Sequence, residues 1–409
     1  MKNKMLIRAL SALSVTMALT ACRVALETDL QNAYESTTRR SSGAQMVLVA
    51  TMETPEGETK TSLNSSQVLW TAGDQIKVFN AATPGGVILT LKAEDAGQAV
   101  GEFAGDAISG DGPFYAVYPA GAAGTLSGTS VTINIPQEQT LTAGSFGNGN
   151  NIAVAKIASL DNALHFKNVL GAVCIQLSSS ITATRVRIQT KGEEYLCGSG
   201  TVNMSGDVPS LSIATGTTDN QIVEATGSAT GTAFYLMLPP NALANGFITQ
   251  VAAGSNAMLK EAPASTSNKI TRSGIVAMPA FAYENQIHTD FLEITPLPFG
   301  YYSGVGQNMS YQTLFGFDKD TSQYATTVQE NTSRTFRLQD FSEHKMYSFV
   351  LPYALELGGV YSATMESIST STYLGPADQG SFRLVQKTSN AAWFIRDDNM
   401  FGFIIPLED

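Results

Sequence analysis

Short runs of β-favouring residues recur every 8 to 15 positions along most of this 409-residue chain, each bounded by clusters of Gly, Asn, Asp, Ser or Pro. They lie at 46–51, 75–79, 87–91, 114–118, 131–135, 169–177, 184–189, 234–238 and 247–252. Several alternate with period two, so that in 75–79 the side chains of Ile76 and Val78 fall on one face. Beyond the N-terminal segment, no stretch carries an apolar stripe of period 3.6 over three turns. A chain punctuated in this way buries its apolar faces by stacking sheets. The expected fold class is all-β: tandem β-sandwich domains followed by an additional C-terminal β domain. No repeat of propeller or solenoid length is present.

Charge narrows the function. Acidic residues outnumber basic ones 35 to 24, for a net charge of −11. This is the wrong sign for a nucleic-acid partner, which needs a basic face to displace counterions. The three His and three Cys are scattered, so neither a metal site nor a cofactor is expected.

Residues 1–21 read as a signal peptide. Lys2, Lys4 and Arg8 form its positive region, and the apolar run 9–19 is too short to span a bilayer. The run ends in Leu19-Thr20-Ala21-Cys22, which resembles the bacterial lipobox, and this resemblance implies cleavage before Cys22 and lipid attachment to it. Arg23, rather than Asp, follows the Cys, so the expected address is the outer membrane or cell surface. Contact with the membrane would be through the lipid alone. Cleavage there leaves 21 basic against 35 acidic residues, a net charge of −14. Cys174 and Cys197 admit a disulfide or two buried thiols, and the sequence leaves both open.

The expected organisation is a polar tether over 22–44, a first β-sandwich over 45–163, a second over 164–285, and a C-terminal domain over 286–409. That last block holds 20 of the 35 aromatic residues in 124 positions, which marks its boundary. Arg39-Arg40 is an exposed dibasic pair within the tether.

One local pattern stands out. Lys60-Thr61-Ser62-Leu63 is followed by Val68-Leu69-Trp70 and then by Gly73-Asp74-Gln75-Ile76-Lys77-Val78. Physically it reads as a hairpin-like connection: Trp70 closes one strand, Gly73-Asp74 turns, and Ile76 and Val78 point inward. As a set it resembles the fimbrillin superfamily of Bacteroidetes. Further matches follow in order: Phe114-Tyr115-Ala116-Val117-Tyr118-Pro119, Ile135-Pro136-Gln137-Glu138-Gln139, and Leu164-His165-Phe166-Lys167-Asn168-Val169-Leu170-Gly171, which resembles the start of that family's second domain. The resemblance spans about residues 44–283.

It implies transthyretin-like sandwiches in a type V pilus subunit or accessory lipoprotein. Such a protein is exported with a lipid anchor, trimmed by an Arg-specific protease and joined to other subunits by strand exchange. Arg39 and Arg40 are the nearest match to the processing site. The candidate donor strand is 399–407, with Met400, Phe401, Phe403, Ile404 and Ile405; the same residues also suit an ordinary core strand. Block 286–409 departs from the two-domain pattern and suits a tip or accessory subunit. Its expected partners are other pilus subunits or surface ligands on host or bacterial cells. The alternative is a lipid-anchored adhesin or glycan-binding lipoprotein that never polymerises. Tyr301, Tyr302, Tyr311, Phe315 and Phe317 could stack on sugars or fill a core. Asp318, Asp320 and Ser322 start like a calcium loop but lack its Gly and terminal Glu, and read as a turn.

Enzymatic chemistry finds little support. There is no Gly-x-Ser-x-Gly elbow, phosphate loop, dinucleotide fingerprint or His-Glu-x-x-His. His165, His288 and His344 are far apart. Glu193-Glu194 and Asp397-Asp398 are adjacent pairs, which on a strand would point to opposite faces. The expectation is a protein that is not an enzyme.

Overall fold

The computed structural model describes residues 45–53, 68–289, 300–305, 312–317, 333–340, 345–352, 354–367, 380–389, 391–396 and 402–406. The chain is all-β, and among the described residues the strands are joined mainly by loops and a few short 3-10 turns. In chain order the first strands are β1 (Gln45–Met52), β2 (Gln75–Asn80), β3 (Thr83–Leu91), β4 (Val100–Asp106), β5 (Phe114–Tyr118), β6 (Ala123–Ser127), β7 (Ser130–Ile135), β8 (Glu138–Thr140), β9 (Ala153–Ile157) and β10 (Leu164–Asn168). Seven of these close a barrel in the order β1-β10-β9-β5-β2-β3-β4.

Alternation dictates the barrel interior. Ile76 and Val78 are fully buried on β2, while Gln75 faces solvent. Trp70 packs edge-on against Phe103, Tyr118 and Phe166 at centroid distances of 4.9, 5.4 and 6.1 Å, a favoured aromatic geometry. Residues 68–70 are not strand, contrary to the expected closing strand. Trp70 sits in a loop paired with another loop, its N–H donating to the Gln98 carbonyl and its carbonyl accepting from Gly97. Its indole Nε1 donates to the Ala50 carbonyl at 3.2 Å. The bulk of the ring, rather than strand pairing, fixes this segment. The expected turn at Gly73-Asp74 is present. Gly73 adopts φ +87°, where a side chain would be strained, and Asp74 accepts from the Thr71 N–H at 2.7 Å and from the Tyr118 hydroxyl at 3.0 Å.

The next strands are β11 (Gly171–Thr190), β12 (Gly198–Asn203), β13 (Ser210–Ile213), β14 (Ile222–Leu238), β15 (Phe247–Ala253), β16 (Asn256–Ala262), β17 (Ile275–Ala277) and β18 (Ile287–His288). A seven-stranded sheet runs β18-β16-β15-β11-β14-β8, with β17 added in parallel to β11, and a four-stranded sheet runs β13-β12-β7-β6. The two sheets share a core in which Val131, Ile133, Ile135 and Val202 meet Val173, Ile175, Val186, Phe234 and Leu236. The runs expected at 169–177 and 184–189 form one 20-residue strand, β11. The exposed Ser178–Ser180 stretch reads as a break, but β14 pairs on both sides of it and register shifts absorb the irregularity.

The two bodies are interleaved along the chain. Strands β6, β7 and β8, within 45–163, pair into the second body, after which β9 and β10 return to the barrel. Of Leu164–Gly171, which resembles the start of a second domain, Leu164–Asn168 pairs with β9 and, in parallel, with β1, while Gly171 opens β11 of the second body. β5 is buried on both faces: Phe114, Ala116 and Tyr118 face the barrel core, and Tyr115 and Val117 face the second body. Its unbroken apolar run has that cause. Both remaining thiols, Cys174 and Cys197, are buried and unpaired, and burial raises their pKa values, that of Cys197 to about 11.

The C-terminal block contributes β19 (Gly300–Val305), β20 (Gln312–Phe317), β21 (Ser333–Asp340), β22 (Lys345–Pro352), β23 (Val360–Ser367), β24 (Gly380–Lys387), β25 (Ala391–Arg396) and β26 (Gly402–Pro406). They form an eight-stranded sheet in chain order, every neighbour antiparallel.

Candidate functional site

The residues expected to carry function lie at the two ends of the chain. Cys22, Arg39, Arg40, Met400 and Phe401 lie outside the described residues, as do Lys60–Leu63, Tyr311, Asp318, Asp320, Ser322, His344 and Asp397-Asp398. Phe403, Ile404 and Ile405 lie on β26, paired with Phe394, Trp393 and Ala392 of β25. The candidate donor is thus a terminal strand of its own chain's sheet, and it comes close to β19 at the other end of the sheet order. Tyr302 and Phe315 occupy opposed positions on β19 and β20.

Residues 382–395 dock on the second body through matched polar groups. Arg187 on β11 donates from Nε and Nη2 to Glu224 at 2.9 and 2.7 Å, and from Nη1 to the Gln386 side-chain oxygen at 2.5 Å. Gln250 donates to that same oxygen at 3.1 Å. The Gln189 amide pairs with the Lys387 backbone, donating to its carbonyl at 2.5 Å and accepting from its N–H at 3.2 Å. Asp219 accepts from the N–H and hydroxyl of Ser389 at 3.0 and 2.8 Å. Val385, Trp393 and Ile395 pack beside these groups on Ala252 and Ala257. Sequence reasoning missed this contact, because glutamines inside strands carry no local signal of a distant partner.

At the other end, β1 is the first described strand after the Arg pair. It lies between antiparallel β4 and parallel β10, with Met46, Leu48 and Ala50 in the barrel core. The residue after it, Glu53, ties the barrel to the second body. Arg272 grips its carboxylate with two N–H groups, at 2.5 and 2.9 Å, the bidentate geometry that makes such pairs strong. The Asn168 N–H donates to the same carboxylate at 2.8 Å, and Arg272 also reaches the Asn168 carbonyl at 2.9 Å. Burial raises the pKa of Glu53, but Arg272, the Asn168 N–H and Lys167 outweigh it and hold the value below the ordinary range. Asn168 also donates to the Ser273 hydroxyl at 2.8 Å and accepts from Asn151 at 2.7 Å, which completes a buried polar bridge.

The acidic pair Glu193-Glu194 lies in a loop rather than on a strand. Glu194 braces that loop by accepting from Thr190 at 2.7 Å and from Asn245 at 2.9 Å. Among the described residues, no three His, Cys, Asp or Glu side chains converge as metal ligands.

The chain matches no protein-family model and no curated protein. Among solved structures it is similar to a protein from Bacteroides ovatus provisionally described as a cell adhesion protein. Identity is 13% and the TM-score 0.35, with 59% of this chain and 95% of the other covered. A protein from Bacteroides uniformis with the same provisional description is 16% identical, with a TM-score of 0.34 and coverage of 58% and 94%. Likeness at this level assigns no activity.

Proposed function

We propose that this protein is a cell-surface subunit of a type V fimbria, in a tip or accessory position, which contributes to adhesion. It is exported with a lipid on Cys22, cut after Arg39 or Arg40, and joined to its neighbours by strand exchange. The observation that supports this most is the position of β1. A cut at the Arg pair leaves β1 as an N-terminal strand with a free end. Peeling it away opens the barrel between β4 and β10, exposing unpaired backbone on both sides and the apolar slot of Met46, Leu48 and Ala50. An apolar strand from another subunit, such as Gly402–Pro406, satisfies both. The additional eight-stranded sheet suits a terminal or accessory position.

A second reading is a lipid-anchored adhesin that does not polymerise. It is favoured by the seating of β1, which the Glu53–Arg272 pair holds shut, and by the pairing of β26 within its own sheet.

An Arg-specific protease applied to the full chain separates the two. Strand exchange predicts cleavage after Arg39 or Arg40 and an SDS-resistant ladder in unboiled gels, both absent from the Arg39→Ala, Arg40→Ala variant. A cut chain that stays monomeric sinks the polymerising reading and leaves the anchored adhesin. Cys22→Ala releases the protein from the membrane fraction under either reading.

A further inference from the structure

Strand exchange makes no use of the outer face of β9 and β10. Lys167 is paired opposite Val154, so His165 and Lys156, each two residues further along its strand, share that face. The turn between β12 and β13 lies beside them and borders an open cleft of about 310 Å³, whose lining includes Lys156, His165, Lys167, Met204, Asp207 and Pro209. Lys156 donates to the Met204 carbonyl at 3.2 Å, and Lys167 donates to the Asp207 carbonyl. An ammonium group has three donors, so each lysine has two beyond that bond, although the Lys156 ammonium also lies over the Tyr115 ring, 5.9 Å from its centroid. Among the described residues, neither ammonium has a carboxylate within ion-pair distance. Glu53 acts on Lys167 from further away, and Asp207 is the acid in the lining.

The lining of the cleft therefore includes two lysines and one aspartate, a basic excess on a chain whose net charge is −11. Its size is at the lower end of the range for small-molecule sites, and Met204 and Pro209 give it an apolar side. The His165 Nδ1 lies 3.0 Å from the Thr51 hydroxyl. Burial, and then the charge of Lys167, lower the pKa of its imidazole, so it is neutral at pH 7 and reports on any anion placed beside it.

We propose that this cleft binds an oxyanion, a carboxylate or a sulfate ester, carried on a ligand the size of one sugar ring. Lys156 and Lys167 supply the charge-assisted hydrogen bonds, and Asp207 opposes them. The site requires neither cleavage nor assembly, so it stands independently of the proposed function.

The chain has three histidines, which makes His-selective isotope labelling of the full chain a clean readout, with His165 assigned by loss of its signal in His165→Asn. The probes are glucuronate, glucose 6-sulfate, glucose and inorganic sulfate. The expected result is a saturable shift of the His165 ring signal, with a raised imidazole pKa, for the two acidic sugars and not for glucose. Lys156→Gln and Lys167→Gln each weaken binding about tenfold or more, the worth of one charge-assisted hydrogen bond. Asp207→Asn tightens it, a gain that misfolding cannot imitate. No shift with either acidic sugar, an equal response to glucose, or unchanged affinity in both lysine variants overturns the proposal. Equal affinity for inorganic sulfate overturns its sugar-sized part.

Discussion

Glu53 is the residue on which the seating of β1 turns, and its protonation gives that seating a pH dependence. Its folded pKa lies below the unfolded value near 4.5. A depressed carboxylate pKa adds stability that is fully present above the unfolded value and is lost as pH falls through the folded one. The urea midpoint of the full chain should therefore fall as pH drops below about 4.5, and Glu53→Gln should flatten that part of the profile. Arg272→Gln should cost about 1–3 kcal/mol at pH 7, since it strips a half-buried carboxylate of its charged partner. An unchanged midpoint in either variant would show that the pair does not hold the two bodies together. At this scale the sequence was partly legible. Ile76 and Val78 could be placed inward from alternation alone, and both are fully buried. The Glu53–Arg272 pair, 219 residues apart, has no local signature.

Among the elements, β11 depends on an approach that only glycine allows. A Cβ on Gly171 would lie 2.1 Å from the Thr271 carbonyl and 2.7 Å from an Ile270 methyl, and the first of these is backbone and cannot rotate away. Gly171→Ala should therefore destabilise the second body by about 1–3 kcal/mol, the usual cost of overpacking, measured as a lowered urea midpoint. A neutral result would mean that the 270–274 loop moves aside freely. Element types were legible because turn residues and period-two patterns are local. Their lengths were less so. The serines at 178–180 look like a boundary because they are small, polar and exposed, yet β14 carries pairing across them. Strand ends depend on whether a partner continues, and that information lies elsewhere in the chain.

For the molecule as a whole, the docking of residues 382–395 decides how the aromatic-rich block is presented. Gln189→Ala combined with Asp219→Ala removes four of the hydrogen bonds joining that stretch to the second body. Amide exchange should then rise across 382–395 while exchange in the barrel stays unchanged. Equal protection in both proteins would place the docking energy in the Gln386 hydrogen bonds and the apolar contacts of Val385, Trp393 and Ile395 instead. By itself the sequence determined that this chain is all-β, where most strands and the Gly73-Asp74 turn would fall, and that aromatic residues gather after residue 285. Those properties follow from alternation, turn chemistry and composition, each read within a few residues. Only the tertiary structure decided which sheet each strand joins: that β10 pairs in parallel with β1, that β7 and β8 leave the barrel for β12 and β14, and that β1 closes the ring. Strand pairing is specified by the fit of two edges far apart in sequence, with loop closure opposing it. An edge becomes available only once the rest of the sheet has formed, so no local pattern could announce it.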